Sequence, residues 1–317
     1  MNQLTRIYSV SIAVVIATIL SLSGCAIEEP VNFTTADESV GSSEPVVESN
    51  EEENYAPSQQ ISTGAFHACA IQDNGTAYCW GRNWSGEGSV PSNLGTVGSI
   101  SSGYGHNCAI KTDGTARCWG SNWYGEGSVP SNLGTVSSIS SGYRHNCAIK
   151  TDGTAQCWGE SDYGKNTVPS DLGTVSSISS GREHTCAVKT DGTAKCWGLN
   201  APSDVGKVRS VSTGNGFTCV IKEDRTVQCW GQSVPSNLGT VNSISSAGSD
   251  TCAVKTDGTA KCWGGNAWGR NSIPSGLLID QISVGNWWHN CAIKLDDTIQ
   301  CWGSNHSGQL NVPSELQ

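Results

Sequence analysis

Histidine and cysteine recur in this sequence at spacings that invite chemistry. His67, His106, His145, His184 and His289 each stand two positions before a cysteine. Each of those cysteines has a second one further along, as do two cysteines not preceded by histidine. The pairs are Cys69 with Cys79, Cys108 with Cys118, Cys147 with Cys157, Cys186 with Cys196, Cys219 with Cys229, Cys252 with Cys262 and Cys291 with Cys301. Such donors suit metal binding or acid–base catalysis. The spacing argues against the metal, because nine intervening residues do not make a zinc knuckle. No nucleophile–base pair, phosphate-binding glycine loop or carboxylate dyad stands out. The expectation is a non-enzyme with no cofactor and no metal.

The elements that carry the cysteines explain their pairing. Cys147 to Gly159 reads CAIKTDGTAQCWG, two short β-prone runs around Thr-Asp-Gly. If Thr151, Asp152 and Gly153 form a three-residue hairpin loop, Lys150 faces Thr154, Ile149 faces Ala155, Ala148 faces Gln156 and Cys147 faces Cys157. The favoured loop of that length ends in a left-handed residue, which suits glycine. Gly75, Gly114, Gly153, Gly192 and Gly258 occupy the place, whereas Arg225 and Asp297 predict less comfortable or differently shaped turns. Cysteines opposite each other on adjacent strands are within disulfide reach, so the pairs read as seven staples, each contributing roughly 2–3 kcal/mol.

The phrase is written seven times, with first-cysteine spacings of 39, 39, 39, 33, 33 and 39. A run such as SSISSG (Ser137–Gly142) before each pair predicts a third strand, and the start of SVPSNLG predicts a fourth. Abundant Gly and Trp (38 and 12) with few Phe and Met (3 and 1) fit an all-β chain. The expected fold is a seven-bladed β-propeller of four-stranded blades spanning residues 61–317, with an open solenoid as the alternative. Closure is expected through residues 312–317 pairing with the strand near Gln60–Gly64. In a propeller, equivalent histidines lie on separate blades, so the reading here is blade packing with the rings satisfied by backbone. Phe217 and Asp250 take that place in the other two blades. The tryptophan after each second cysteine (Trp80, Trp119, Trp158, Trp197, Trp230, Trp263, Trp302) is expected on the opposite sheet face from the disulfide, packed between blades.

The wording ISSGYRHNCAIKTDGTAQCWG, with WGSNHSGQL at Trp302–Leu310, resembles the regulator-of-chromosome-condensation repeat family. The resemblance covers all seven repeats and implies a seven-bladed disc whose loops bind other proteins. Its members include a nucleotide exchange factor for a small GTPase and a secreted bacterial inhibitor of β-lactamases, and neither activity carries over from fold alone. The regular paired cysteines depart from the family and suit a version outside the cytoplasm.

The N-terminus reads as a lipoprotein signal over residues 1–25. Arg6 precedes an apolar run from Ile7 to Leu20, and Leu22–Cys25 reads LSGC, which resembles a lipobox with Cys25 as the lipidated residue. Residues 26–60 hold nine acidic residues and no Lys or Arg, a disordered tether with a reach of about 30 Å. The expectation is a monomer held by its lipid at the bacterial cell envelope, on the outer membrane. Of the net charge of −10 the tether carries most, and the near-neutral repeat region has no basic stripe for nucleic acid.

The aromatics that do not recur in every repeat point to a binding face. An up-and-down blade puts the loops between its first and second strands, and those after its third, at one end. The former carry Phe66, Tyr104, Tyr143, Trp287 and Trp288; the latter carry Trp84, Trp123, Tyr124, Tyr163 and Trp268. The fourth and fifth repeats are six residues shorter and lack these aromatics, predicting a crescent beside a low notch. The expected partner is a protein held by aromatic anchors, with a glycan as the alternative.

Overall fold

The computed structural model describes residues 59–317. The expected signal peptide, Cys25 and nearly all of the acidic segment lie outside the described residues. The hairpin phrase and the run before it fold into seven three-stranded sheets. Sheet one holds β1 (Gln60–Thr63), β2 (His67–Ile71) and β3 (Ala77–Gly81); sheet two holds β4 (Val97–Ser102), β5 (His106–Lys111) and β6 (Ala116–Gly120). Sheet three holds β7 (Val136–Ser141), β8 (His145–Lys150) and β9 (Ala155–Gly159); sheet four holds β10 (Val175–Ser180), β11 (His184–Lys189) and β12 (Ala194–Gly198). Sheet five holds β13 (Ser210–Thr213), β14 (Thr218–Ile221) and β15 (Val227–Trp230). Sheet six holds β16 (Val241–Ala247), β17 (Asp250–Lys255) and β18 (Ala260–Gly264), and sheet seven β19 (Ile279–Val284), β20 (His289–Lys294) and β21 (Ile299–Gly303). In each sheet the strands pair in chain order, an arrangement consistent with a seven-bladed propeller.

The hairpin register is the one the loop length dictates. Ile149 faces Ala155, Ala148 faces Gln156 and Cys147 faces Cys157. Gly153 N donates to Lys150 O at 2.9 Å, with Gly153 at φ 81°. All seven cysteine pairs are disulfide-bonded within their own hairpins. Arg225 and Asp297 do not change the turn. They adopt the same left-handed conformation, at φ 67° and 63°, and close the same bond to Lys222 O and Lys294 O. Sheet pairing on both sides fixes the loop and overrides residue preference at its tip.

The fourth strand does not form. Ser89–Thr96 takes turns instead, with Leu94 N donating to Pro91 O at 3.0 Å and Gly95 at φ 75°. Pro91 has no N–H for a ladder, and the i to i+3 bond bends the chain away from one. What the segment supplies is apolar cover: Leu94 is buried against Ile71 of sheet one and Ile100 of sheet two, with Val90 beside it. The C-terminal segment does the same and also makes no strand. It ends in a 3-10 turn at Ser314–Leu316, and Leu316 is buried among Ile293 and Ile299 of sheet seven and Ile61 and Ala68 of sheet one.

The seams between sheets repeat. Trp119 of sheet two packs on Cys69 and Ile71 of sheet one, whose disulfide faces it, and Trp158 packs likewise on Cys108 of sheet two. The serines of the first strands have a separate task. A first strand has no further strand to pair with, so its outward N–H groups need another acceptor. Ser62 Oγ accepts from Ser102 N at 2.8 Å, Ser101 Oγ from Ser141 N at 2.9 Å and Ser140 Oγ from Ser180 N at 2.9 Å. The pattern continues through Ser179, Ser212 and Ser245, and Ser283 Oγ of sheet seven accepts from Thr63 N of sheet one at 2.9 Å.

Candidate binding site

The histidines lie inside the seams and not in a common cluster. His67 Nε2 is 2.8 Å from Asn107 Oδ1 of the next sheet, and His106 Nε2 stands equally far from Asn146 Oδ1. His145 and His184 reach Thr185 Oγ1 and Thr218 Oγ1, at 2.9 and 2.8 Å. The acceptors expected from sequence were backbone groups; for these four histidines side chains of the neighbouring sheet serve instead. Burial holds His67 and His184 down at about 4 and His145 and His289 at about 3, and lowers His106 as well, so the rings are neutral at pH 7. Packing also explains the glycine three positions ahead. A Cβ on Gly142 would lie 2.5 Å from Gly181 O and 2.7 Å from His145 Cε1. No group of three or more His, Cys, Asp or Glu positioned for a metal occurs among the described residues.

In sheet six Asp250 replaces the histidine and pairs with Arg270, both buried. Burial pushes the Asp250 carboxyl up to about 6, against the pull of Arg270. The Arg270 guanidinium also donates to Gly265 O, Trp287 O and Ser249 Oγ.

At the ends of the sheets where first strands turn into second strands, aromatic side chains meet. Phe66 lies 6.2 Å from Tyr104, 6.2 Å from Trp287 and 5.2 Å from Trp288, centroid to centroid. Tyr104 lies 4.4 Å from Tyr143, and Trp268 lies 6.2 Å from Trp288. Arginines join the remainder. Arg82 stands 4.4 Å over Phe66 and 5.1 Å over Trp84; Arg144 stands 4.2 Å over Tyr124 and 4.8 Å over Tyr143. Trp123 makes no ring contact among the described residues but lines a hollow of about 320 Å³ with Trp84, Tyr104, Tyr124 and Tyr143. Tyr163, in a tight turn at φ 59°, joins neither the ring contacts nor that hollow.

The cations were not read from the sequence as part of this set. Arg82 follows a Trp-Gly pair where Ser121 and Ser304 stand in other repeats, and that departure from the repeat was the available signal. Arg144 follows Tyr143 directly, and His306, 4.9 Å from Trp268, is the one histidine outside the repeated position. Arg82 is held by the buried Glu87 at 2.7 Å, and Arg144 by Glu160 at 3.2 Å. The guanidinium planes are therefore fixed against the rings, not free to swing.

The sequence profile of the "Regulator of chromosome condensation (RCC1) repeat" matches residues 59–87, 98–126, 136–165, 175–201, 208–234 and 279–309, together more than half of the chain. This chain belongs to the RCC1 repeat family. No match covers residues 235–278, the sheet in which Asp250 stands for the histidine. No curated protein sequence matches the chain. Among solved structures it is similar to the CRINKLY WD40 ectodomain of the Arabidopsis thaliana receptor kinase ACR4. That pair is 22% identical over 82% of this chain and 98% of the other, with a TM-score of 0.67. It is also similar to the ectodomain of the Physcomitrella patens receptor kinase CR4, 23% identical over 77% of this chain and 72% of that one, with a TM-score of 0.66. At those identities the likeness concerns fold. Seven disulfides belong to an oxidising compartment, and no helix among the described residues is long and apolar enough to cross a membrane.

Proposed function

We propose that this RCC1-repeat chain is an extracytoplasmic binding scaffold, anchored through a lipid on Cys25, that holds a protein partner on its aromatic loop edge. The observation that carries the reading is the exposure of Trp84 and Trp123, at 85% and 87%, around one hollow. Tryptophan left in water loses most of its burial energy, roughly 1.5–3 kcal/mol for a large apolar side chain, and it is enriched among interface anchors. The sheets form a closed ring in this reading, supported by the bond from Thr63 N to Ser283 Oγ and by the shared packing of Leu316 and Ile61. A closed disc acts as a monomer and leaves its loops free for a partner.

A glycan fits less well. The amides nearest the exposed tryptophans are spent inside their loops: Asn83 Oδ1 accepts from Gly88 N at 2.9 Å and its Nδ2 donates to Ser89 Oγ at 2.8 Å. Asn122 repeats both bonds with Gly127 and Ser128. At this hollow sugar hydroxyls would meet clamped guanidinium groups and amides already bonded within their own loops. The test is capture from envelope extracts by the wild-type chain and by Trp84→Ala/Trp123→Ala. A protein retained by the first and lost by the second supports the reading; equal retention by both removes it. Labelled fatty acid incorporated into a Cys25→Ser chain would remove the anchor.

A further inference from the structure

A second cavity, of about 250 Å³, lies where loops of the third to seventh sheets face each other. Its lining includes the aromatic Tyr143, Trp287 and Trp288 and the donor-bearing Arg182, Asn215 and Asn286. Among the described residues no Asp or Glu lines it. Of the two arginines at its wall, Arg270 has its donors on Gly265, Trp287 and Ser249 and its charge matched by Asp250. Arg182 differs. Its guanidinium stands 4.9 Å over the Tyr143 ring and makes no hydrogen bond among the described residues. Its one ion pair, to Glu183, is long at 3.7 Å. The side-chain amides of Asn215 and Asn286 are equally without a hydrogen bond among the described residues.

We infer that this cavity receives a carboxylate side chain of the protein partner, carried beside an aromatic residue that lies on Trp287. The inference rests on the loop-edge reading above and names what the partner must present. Three groups whose donors make no hydrogen bond among the described residues line one space, and the acid nearest to Arg182, Glu183, holds it only at 3.7 Å, which leaves the complement of a carboxylate. The volume sits just below the usual ligand-pocket range of about 300–1,000 Å³, so it suits a single side chain better than a larger metabolite. The fourth and fifth repeats, each six residues shorter than the others, supply Arg182 and Asn215.

The experiment is calorimetry on the intact chain with acetyl-Phe-Glu-amide and its uncharged twin acetyl-Phe-Gln-amide. The acid is expected to bind at least about tenfold tighter, the worth of one good charge-assisted contact, with the preference shrinking as salt is added. Arg182→Gln should bring the two probes within about twofold, and Lys195→Gln, in β12 where Lys195 pairs with Asp171 and outside the cavity lining, should leave the preference intact. Equal binding of the two probes, no binding of either, or a preference that survives Arg182→Gln overturns the inference. Free 3-phenylpropionate binding as tightly as the dipeptide would overturn the peptide source in favour of a small organic acid. The loop-edge reading stands or falls separately, on capture by the Trp84→Ala/Trp123→Ala chain.

Discussion

The seams between sheets and the loop edge above them are built from different vocabularies. In the seams the same residues recur: the disulfide, the tryptophan against it, the histidine reaching into the next sheet and the serine that caps the next first strand. At the loop edge less recurs: Trp84 and Trp123 share a place in the first two repeats, but two positions before the histidine or its replacement stand Ala65, Tyr104, Tyr143, Arg182, Asn215, Gly248 and Trp287. A seam presents the same geometric problem each time, so the same residues solve it. A loop edge that had only to cover backbone would also repeat, as the opposite turn edge does. There Asp152 accepts from Thr154 N and Oγ1 at 2.8 and 2.6 Å, and Asp113, Asp191, Asp224, Asp257 and Asp296 do the same to their own threonines. Variation at one edge beside repetition at the other is what a binding edge, as proposed above, would require.

Acid should break the seams before the loop edge. The five histidines are held neutral by burial, which lowers each from its unfolded value of about 6.5. The unfolded chain therefore binds more protons as pH falls. The stability these groups contribute is complete above about 6.5 and is lost downward, towards 4 for His67 and His184 and towards 3 for His145 and His289. The loss approaches roughly 1.4 kcal/mol per pH unit for each such histidine. Asp250 works in the opposite sense, since its folded value of about 6 lies above the unfolded one, but it is a single group. Melting temperature measured from pH 7 to pH 4 should fall steeply, and a flat profile would mean the seams open to water.

Leu316→Ala should cost about 2–5 kcal/mol, because a buried leucine joining first and last sheets is truncated. Denaturant midpoints read the loss directly, and a change below 1 kcal/mol would show that the junction is loose. Trp84→Ala with Trp123→Ala should weaken partner binding by about 100-fold and leave the melting temperature nearly unchanged, as both rings are already exposed. A large drop in melting temperature would instead make these rings part of the scaffold. The smallest effect belongs to the turn edge. Arg225→Gly should stabilise by about 0.5–1 kcal/mol, since Arg225 holds a left-handed conformation that glycine adopts without strain, and binding should not change.

Much of this molecule is written locally. The thirteen-residue phrase contains both strands of a hairpin and its turn, so register and disulfide pairing follow from loop length alone. The same count places Cys147 opposite Cys157 and Trp158 on the other sheet face. The expected fourth strand failed where local preference met a proline: SVPSNLG has the composition of a strand start, but Pro91 and the turn onto Leu94 convert it to apolar cover. The loop aromatics were legible because they break the repeat, but which of them meet was not: Trp268 and Tyr163 stand in the same kind of left-handed turn, and of the two it is Trp268 that reaches Trp288.

The sequence by itself determined the hairpins, their staples, the sevenfold repeat and the end of each sheet that carries variable residues, because each depends on contacts within a few residues. Tertiary structure alone decided what touches across repeats. It put His67 on Asn107, Ser283 on Thr63, Leu316 on Ile61 and Arg182 over Tyr143. Those pairs are far apart in sequence, and their meeting is set by the stacking of sheets, whose geometry no single repeat contains.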